Sequence, residues 1–150
     1  MNDDLQQVWD SALRLLSRRE HSRRELMTKL RRRQFPEPLV SAVLERLEQQ
    51  NWLQDSRFAA LLVRQQVLKK HGPMRIRAEL MHKGVAQSLG EQALAEAEVD
   101  WFELARTCYL SRFEHEATLL PRERARRIRY LQGRGFNHEH IQYAMSRDGD

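Results

Sequence analysis

The sequence predicts an all-α fold, an elongated array of three tandem three-helix repeats with about nine helices in total. Three observations carry this prediction. Apolar residues recur at helical spacing, and no segment shows convincing strand alternation. The four prolines and six glycines stand almost without exception at plausible helix ends. A fixed set of apolar intervals returns about every 50 residues, as internal duplication requires. Hydrophobic residues make up 41% of the 150-residue chain and charged residues 31%. That balance is too apolar for disorder and rather polar for one compact core, so a thin array fits it better than a sphere.

The first repeat is placed at residues 1–53. Its opening helix runs from about Asp4 to Ser17, with Val8, Ala12, Leu15 and Leu16 inward. Ser22 and Glu25 then stand three residues apart, the spacing of a capping box. Leu26 and Leu30 follow one turn apart on one face. Pro38 suits the first turn of a third helix, because its missing N–H has no partner there in any case. Val40, Val43, Leu44 and Leu47 form that helix's buried stripe.

The second repeat is placed at 54–99. Asp55 is expected to cap its first helix, which carries Phe58, Leu61, Leu62 and Val63. Gly72-Pro73 opens the second helix, with Ile76 and Leu80 where Leu26 and Leu30 stood, and Gly84-Val85 closes it. Ser88 and Glu91 suggest another capping box, and Leu94 takes the place of Leu44. The third repeat is placed at 100–150. Asp100 caps a helix with Phe102, Ala105, Tyr109 and Leu110 inward. Pro121 opens a helix carrying Ile128 and Leu131, and Gly133-Arg134-Gly135-Phe136 ends it. Asn137 caps the last helix, whose apolar face holds Ile141 and Met145. Leu30 to Phe35, Leu80 to Val85 and Leu131 to Phe136 are each five residues; from there to Leu44, Leu94 and Met145 is each time nine.

The net charge of +5 is unevenly placed. Residues 18–34 hold eight Arg or Lys against two Glu, 64–83 six against one, and 122–134 six against one. Residues 91–103 hold five acids and no base. Recurrent basic blocks point to a polyanion partner. The blocks fall on the second helix of each repeat. They comprise Arg23, Arg24, Lys29, Arg31, Arg32 and Arg33; then Arg75, Arg77 and Lys83, extended upstream by Lys69 and Lys70; then Arg122, Arg124, Arg126, Arg127 and Arg129. These residues are the candidate binding site, weighed against plain solvated helix faces. Recurrence at corresponding places favours function.

Catalytic and metal signatures are missing from the sequence. There is no Gly-rich phosphate loop, nucleophile elbow or zincin motif. The histidines lack ligand spacing, so no metal site and no cofactor are expected. The single cysteine, Cys108, excludes a disulfide framework and reads as core or boundary. Trp9, Trp52, Trp101 and Tyr130 are expected to pack between helices rather than stack on bases. No apolar run approaches the ~20 residues of a membrane span. The N-terminus does not read as a signal peptide, and a cytoplasmic location is expected.

Several runs resemble the RecX family of RecA regulators. Gly72-Pro73-Met74-Arg75-Ile76-Arg77-Ala78-Glu79-Leu80-Met81-His82-Lys83-Gly84-Val85 is similar to the family's G-P-x-R-I-x-x-E-L-x-x-K-G-I/V signature. Leu53-Gln54-Asp55-Ser56-Arg57-Phe58-Ala59 resembles its L-D-D-x-R-F-A run, with Gln54 for the first Asp. Ala12-Leu13 with His21 to Leu30, and Arg134-Gly135-Phe136 with Ile141, resemble its outer repeats. The resemblance implies three tandem three-helix units and binding to the RecA–DNA filament. It further implies inhibition of RecA's ATPase, strand-exchange and coprotease activities without chemistry of its own. It adds Arg57 as a candidate filament contact, which fits a structural ion-pair partner equally well. The arginines suit either DNA phosphate or acidic RecA surface. The expected assembly is a monomer with weak affinity of its own for single- or double-stranded DNA. Two alternatives are a stand-alone helix-turn-helix-like DNA-binding regulator and an adaptor that binds only protein.

Overall fold

A computed structural model describes residues 3–146. Among these it contains nine α-helices and no strand: α1 (Asp3–Arg18), α2 (Arg23–Arg32), α3 (Glu37–Gln49), α4 (Asp55–Leu68), α5 (Pro73–His82), α6 (Gln87–Glu96), α7 (Trp101–Arg112), α8 (Pro121–Gly133) and α9 (His138–Met145). The chain divides into two compact units, Met1–Leu61 with Leu80–Gly90, and Leu62–Glu79 with Glu91–Asp150.

In the first unit, α1, α2 and α3 pack on one another. Val8, Ala12 and Leu15 of α1 meet Leu26 and Leu30 of α2 and Val40, Val43, Leu44 and Leu47 of α3 in a single core, which Leu53 joins. Leu16 lies half-buried at its margin. Each fully buried aliphatic side chain contributes roughly 1.5–3 kcal/mol, so Leu30→Ala alone would remove a large part of this unit's stability. The α2 capping box forms as its sequence requires. Ser22 Oγ accepts from the Glu25 amide at 3.1 Å, and Glu25 Oε1 accepts from the Ser22 amide at 3.2 Å. Pro38 lies in the first turn of α3.

Asp55 departs from expectation. It is the first residue of α4 rather than the residue before it, and its Oδ1 accepts the Arg23 amide at 2.8 Å. The carboxylate therefore satisfies a free N–H at the start of α2. Sequence proximity suggested its own helix, but the fold brings another helix's open end within reach.

In the second unit, α7 packs most closely with α9, and α8 packs on both. The core holds Ala105, Cys108, Tyr109 and Phe113, then Leu131 and Phe136, then Ile141, Ala144 and Met145. Asp100 and Asn137 are N-caps, accepting from the Glu103 and His140 amides at 3.2 and 2.9 Å. Leu110 was expected inward but is 48% exposed. Ala105, Cys108 and Tyr109 define the inward stripe, and the residue after Tyr109 turns about 100° away from it. Phe102, also expected inward, is 39% exposed. Its ring stands edge-on to His140 at 4.9 Å and Tyr143 at 5.7 Å, at the rim rather than in the core.

The middle repeat's residues divide between the two units. Phe58, Leu62, Val63, Ile76, Leu80, Val85 and Leu94 are buried, while Leu61 is half-buried. The Ser88–Glu91 capping box does not form. The Gly90 amide donates to Ala86 O, so α6 starts at Gln87 and Ser88 already lies in its first turn. Glu91 instead accepts from Arg77 at 2.7 and 3.2 Å.

The second helices end alike. Gln34 (φ 64°), Gly84 (φ 80°) and Gly135 (φ 102°) all adopt the left-handed conformation. The amides of Val85 and Phe136 then reach back to Leu80 O and Leu131 O at 3.0 and 3.2 Å, capping otherwise open carbonyls.

Candidate functional site

The structure sorts the candidate cations into those with internal partners and those without. Arg23 Nε donates to Glu48 at 2.8 Å, and Arg31 holds Glu37 in a two-pronged pair at 2.8 and 2.5 Å. Arg33 reaches Ser11 Oγ on α1. Arg77 is paired with Glu91, and Arg126 holds Glu123 at 2.9 and 2.7 Å. Arg57 donates to Glu20 at 2.5 Å and to the Asn51 and Trp52 carbonyls at 3.1 Å each. It therefore locks the link after α3 to the end of α1, and its partner is Glu20 rather than the neighbouring Asp55. Arg75 donates to Gly133 O at 3.3 Å. Lys69 is exposed and its carbonyl accepts from Arg134, while Lys70 sits half-buried in a left-handed conformation (φ 60°).

Arg127 does not belong on a binding surface. It is 6% exposed. Its guanidinium donates to Tyr109 Oη at 2.8 Å, Glu114 O at 3.0 Å and Glu123 at 2.9 Å. It also lies over the Phe113 ring, 4.7 Å from its centre. Glu123 and the Tyr109 hydroxyl hold its pKa well above the ordinary arginine value. The neighbouring arginines are those the sequence could not distinguish from it. Arg122, Arg124 and Arg129 are exposed and have no ion-pair partner among the described residues.

One concave place gathers several candidates. Arg24, Glu25, Thr28, Lys29 and Arg32 of α2, with His82 and Lys83 from the end of α5, line a cleft of about 330 Å³. Arg24, Thr28 and Arg32 lie one turn apart in succession, so one face of α2 presents them together. The α5 end is fixed against α2 by Ser22 Oγ, which donates to Lys83 O at 2.6 Å. Glu25 forms the floor of the cleft. Its side chain is 8% exposed and pairs with Arg19 at 2.7 Å and Lys83 at 3.4 Å. Burial pushes this carboxyl up, but Arg19, the Ser22 amide and Lys83 outweigh burial and bring it down to about 2.

Lys29 is seated differently. His21 is almost fully buried, and its Nδ1 lies 3.0 Å from Arg19 O. Nδ1–H therefore donates to that carbonyl, which leaves Nε2 to accept from Lys29 Nζ at 2.7 Å. Burial lowers the His21 pKa, and the positive neighbours Arg19 and Lys29 lower it further. The imidazole is thus a neutral acceptor. Burial, then Arg19, Lys83 and Arg18, also lower the Lys29 pKa. Arg24, Lys29 and Arg32 have no carboxylate in ion-pair range among the described residues. His21, Arg19 and His82 were not among the sequence candidates. Only the histidine directly before the α2 cap gave a local signal for any of them.

Trp52 corrects the expectation of packing between helices. It is 54% exposed and lines a separate cleft with Leu13, Leu16, Glu20 and Arg57. Trp9 is half-buried, with Arg46 5.9 Å above its ring. Tyr130 packs edge-on to Phe113 at 5.5 Å. Among the described residues no group of three or more His, Cys, Asp or Glu is placed to hold a metal ion, and no helix is long and apolar enough to cross a membrane.

These features define an all-helical protein of three tandem three-helix domains with a cation-lined cleft between α2 and the end of α5. Models of the first, second and third three-helix domains of RecX match residues 9–47, 55–94 and 98–145 in order. The chain belongs to the RecX family. It is 42% identical over 137 residues to Regulatory protein RecX of Vibrio parahaemolyticus, covering 91% of this chain and 88% of that one. It is also 42% identical over 139 residues to Regulatory protein RecX of Halorhodospira halophila, covering 93% and 86%. A crystal structure of RecX from Lactobacillus salivarius shares the fold, with a TM-score of 0.81 over 97% of this chain and 96% of that one at 24% identity.

Proposed function

We propose that this chain binds the RecA–DNA filament and restrains it, inhibiting RecA's ATPase, strand-exchange and coprotease activities without chemistry of its own. The observation that carries this reading is the match of all three domains, in order, to a family whose members are named regulatory proteins. The cations without internal partners on α2 and α8 support it, because a filament of protein and nucleic acid is a polyanion. In this reading the chain acts in the cytoplasm as a monomer, in homologous recombination, DNA repair and the SOS response. Its domains divide at 53/54 and 99/100.

The test is to preassemble RecA on single-stranded DNA, add the protein and follow ATP hydrolysis. Inhibition is expected well below one protein per RecA protomer, since blocking growth at a filament end affects many subunits. No effect on hydrolysis or strand exchange at any ratio would sink the proposal. A sequence-specific footprint on duplex DNA without RecA would instead favour a stand-alone DNA-binding regulator.

A further inference from the structure

We infer that the cleft on α2 is a seat for a phosphodiester group, so that the first domain touches the nucleic-acid backbone directly. This deepens the filament reading and rests on it for the identity of the polyanion.

Charge is the first ground. Seven side chains line the cleft, and Glu25 is the only acid among them. Glu25 is turned inward onto Arg19, Lys83 and the Ser22 amide, and it makes no ion pair with Arg24, Lys29 or Arg32. Arg24, Lys29 and Arg32 have no ion-pair partner among the described residues, in a concavity where field lines concentrate. Lys29 is the most telling of the three. A carboxylate would be the ordinary partner for a half-buried ammonium, yet its neighbour is a neutral, buried imidazole. His21 fixes the position of Nζ and leaves its charge free for an anion.

Shape and composition are the second ground. No hydrophobic side chain lines the cleft. Protein interfaces draw most of their energy from desolvated apolar and aromatic anchors, which this cleft does not offer. The donors line the cleft from one face of α2 and from the end of α5, and Thr28 stands one turn from both Arg24 and Arg32. Donors arriving from several directions suit a tetrahedral phosphate better than a flat carboxylate, which one arginine fork can satisfy.

The seat also has a rigid frame. A Cβ on Gly84 would lie 2.6 Å from Arg24 Nε and 2.7 Å from Arg24 Cβ, so the end of α5 closes tightly over the root of that arginine. Together with Ser22 Oγ on Lys83 O, this contact preorganises the cations before any ligand arrives.

The experiment is binding of a fluorescein-labelled single-stranded thymidine oligonucleotide to the full chain, without RecA, over a range of salt. Arg32→Ala should reduce the log–log salt slope by about 0.7, and Arg24→Ala/Lys29→Gln/Arg32→Ala by about 2. The triple variant should lose at least tenfold in affinity at low salt. Arg14→Ala, which removes an exposed α1 cation outside the cleft, should leave the slope nearly unchanged. An unchanged slope in both Arg32→Ala and the triple variant would overturn the inference. Equal loss of binding to polyglutamate would also overturn it, by assigning the cleft to acidic protein surface. Wild-type protein that fails to inhibit RecA while the slope still falls would remove the filament reading and leave the phosphate seat standing.

Discussion

Gly84 stands against Arg24 so closely that a single added methyl group would overlap the arginine's Cβ and Nε. The same relation holds between Gly135 and Arg75, at the same separation along the chain. A Cβ on Gly135 would overlap Arg75 Cβ and lie 2.8 Å from its amide nitrogen. Both glycines also have positive φ, of 80° and 102°. The start of one domain's second helix thus meets the end of the next domain's second helix, once in each compact unit. The backbone bonds agree: Ser22 Oγ donates to Lys83 O, and the Gly72 amide donates to Arg134 O at 2.7 Å.

Glycine-to-alanine substitutions should therefore order themselves. Gly84→Ala and Gly135→Ala should each lower the unfolding free energy by about 2–3 kcal/mol, with Gly135→Ala the more severe because backbone as well as side chain is hit. Gly133→Ala has no neighbour within 4 Å and lies in a helix, so it should stabilise by about 0.5–1 kcal/mol. Urea unfolding of the three variants checks the order.

Arg127 and Arg129 should separate cleanly although they stand two residues apart. Arg127→Ala leaves the Tyr109 hydroxyl, Glu114 O and Glu123 without their shared donor, and should cost about 3 kcal/mol or more. Arg129→Ala should stay within about 0.5 kcal/mol. Equal denaturant midpoints for the two would refute the structural role given to Arg127.

Acid should weaken the fold in two windows. His71 is held neutral by burial and by Arg75, Arg134 and Lys69, which bring it from 6.5 down to about 4. A depressed folded-state value means the unfolded chain binds the proton first. The contribution is complete above pH 6.5 and is lost as pH falls toward 4. Glu25 follows the same sign lower down: its contribution is complete above about pH 4.5 and is lost as pH falls through about 2. Its full size is on the order of 3 kcal/mol. Thermal melts against pH should lose the upper window in His71→Asn and the lower one in Glu25→Gln.

Ser22→Ala removes two bonds at once, the cap on Glu25 N and the donor to Lys83 O. The loss should be about 1–2 kcal/mol, at the upper end of ordinary cap substitutions. Ser22→Gly tests the cap alone poorly, so Ser22→Thr, which keeps the hydroxyl, is the informative control. It should recover most of the stability in the same melts.

Local chemistry made much of the fold legible. The Ser22–Glu25 box, the Asp100 and Asn137 caps and the Pro38 and Pro121 helix starts all lie within four residues of the groups they act on. The stripe Val40, Val43, Leu44 and Leu47 is likewise a property of one helix's period. Errors arose where a partner comes from elsewhere. Asp55 turns to α2, Glu91 to Arg77, and Phe102 to the α9 rim. The arginine blocks were legible as blocks but not as individuals. In the sequence Arg126, Arg127 and Arg129 are equivalent cations on one basic helix. Burial and the placement of Glu123, Tyr109 and Glu114 make one a core residue and another a paired one, and leave the third free.

By itself, then, the sequence determined the helices, their order in threes and the excess of positive charge, because periodicity, caps and composition act over a few residues. It also carried the family resemblance, since the Gly72–Val85 run is contiguous. Only the tertiary structure decided which cations keep their charge for a partner. That outcome depends on where carboxylates and carbonyls from distant segments come to rest, as Glu48 does at Arg23 and Glu20 at Arg57, and no local pattern encodes that distance.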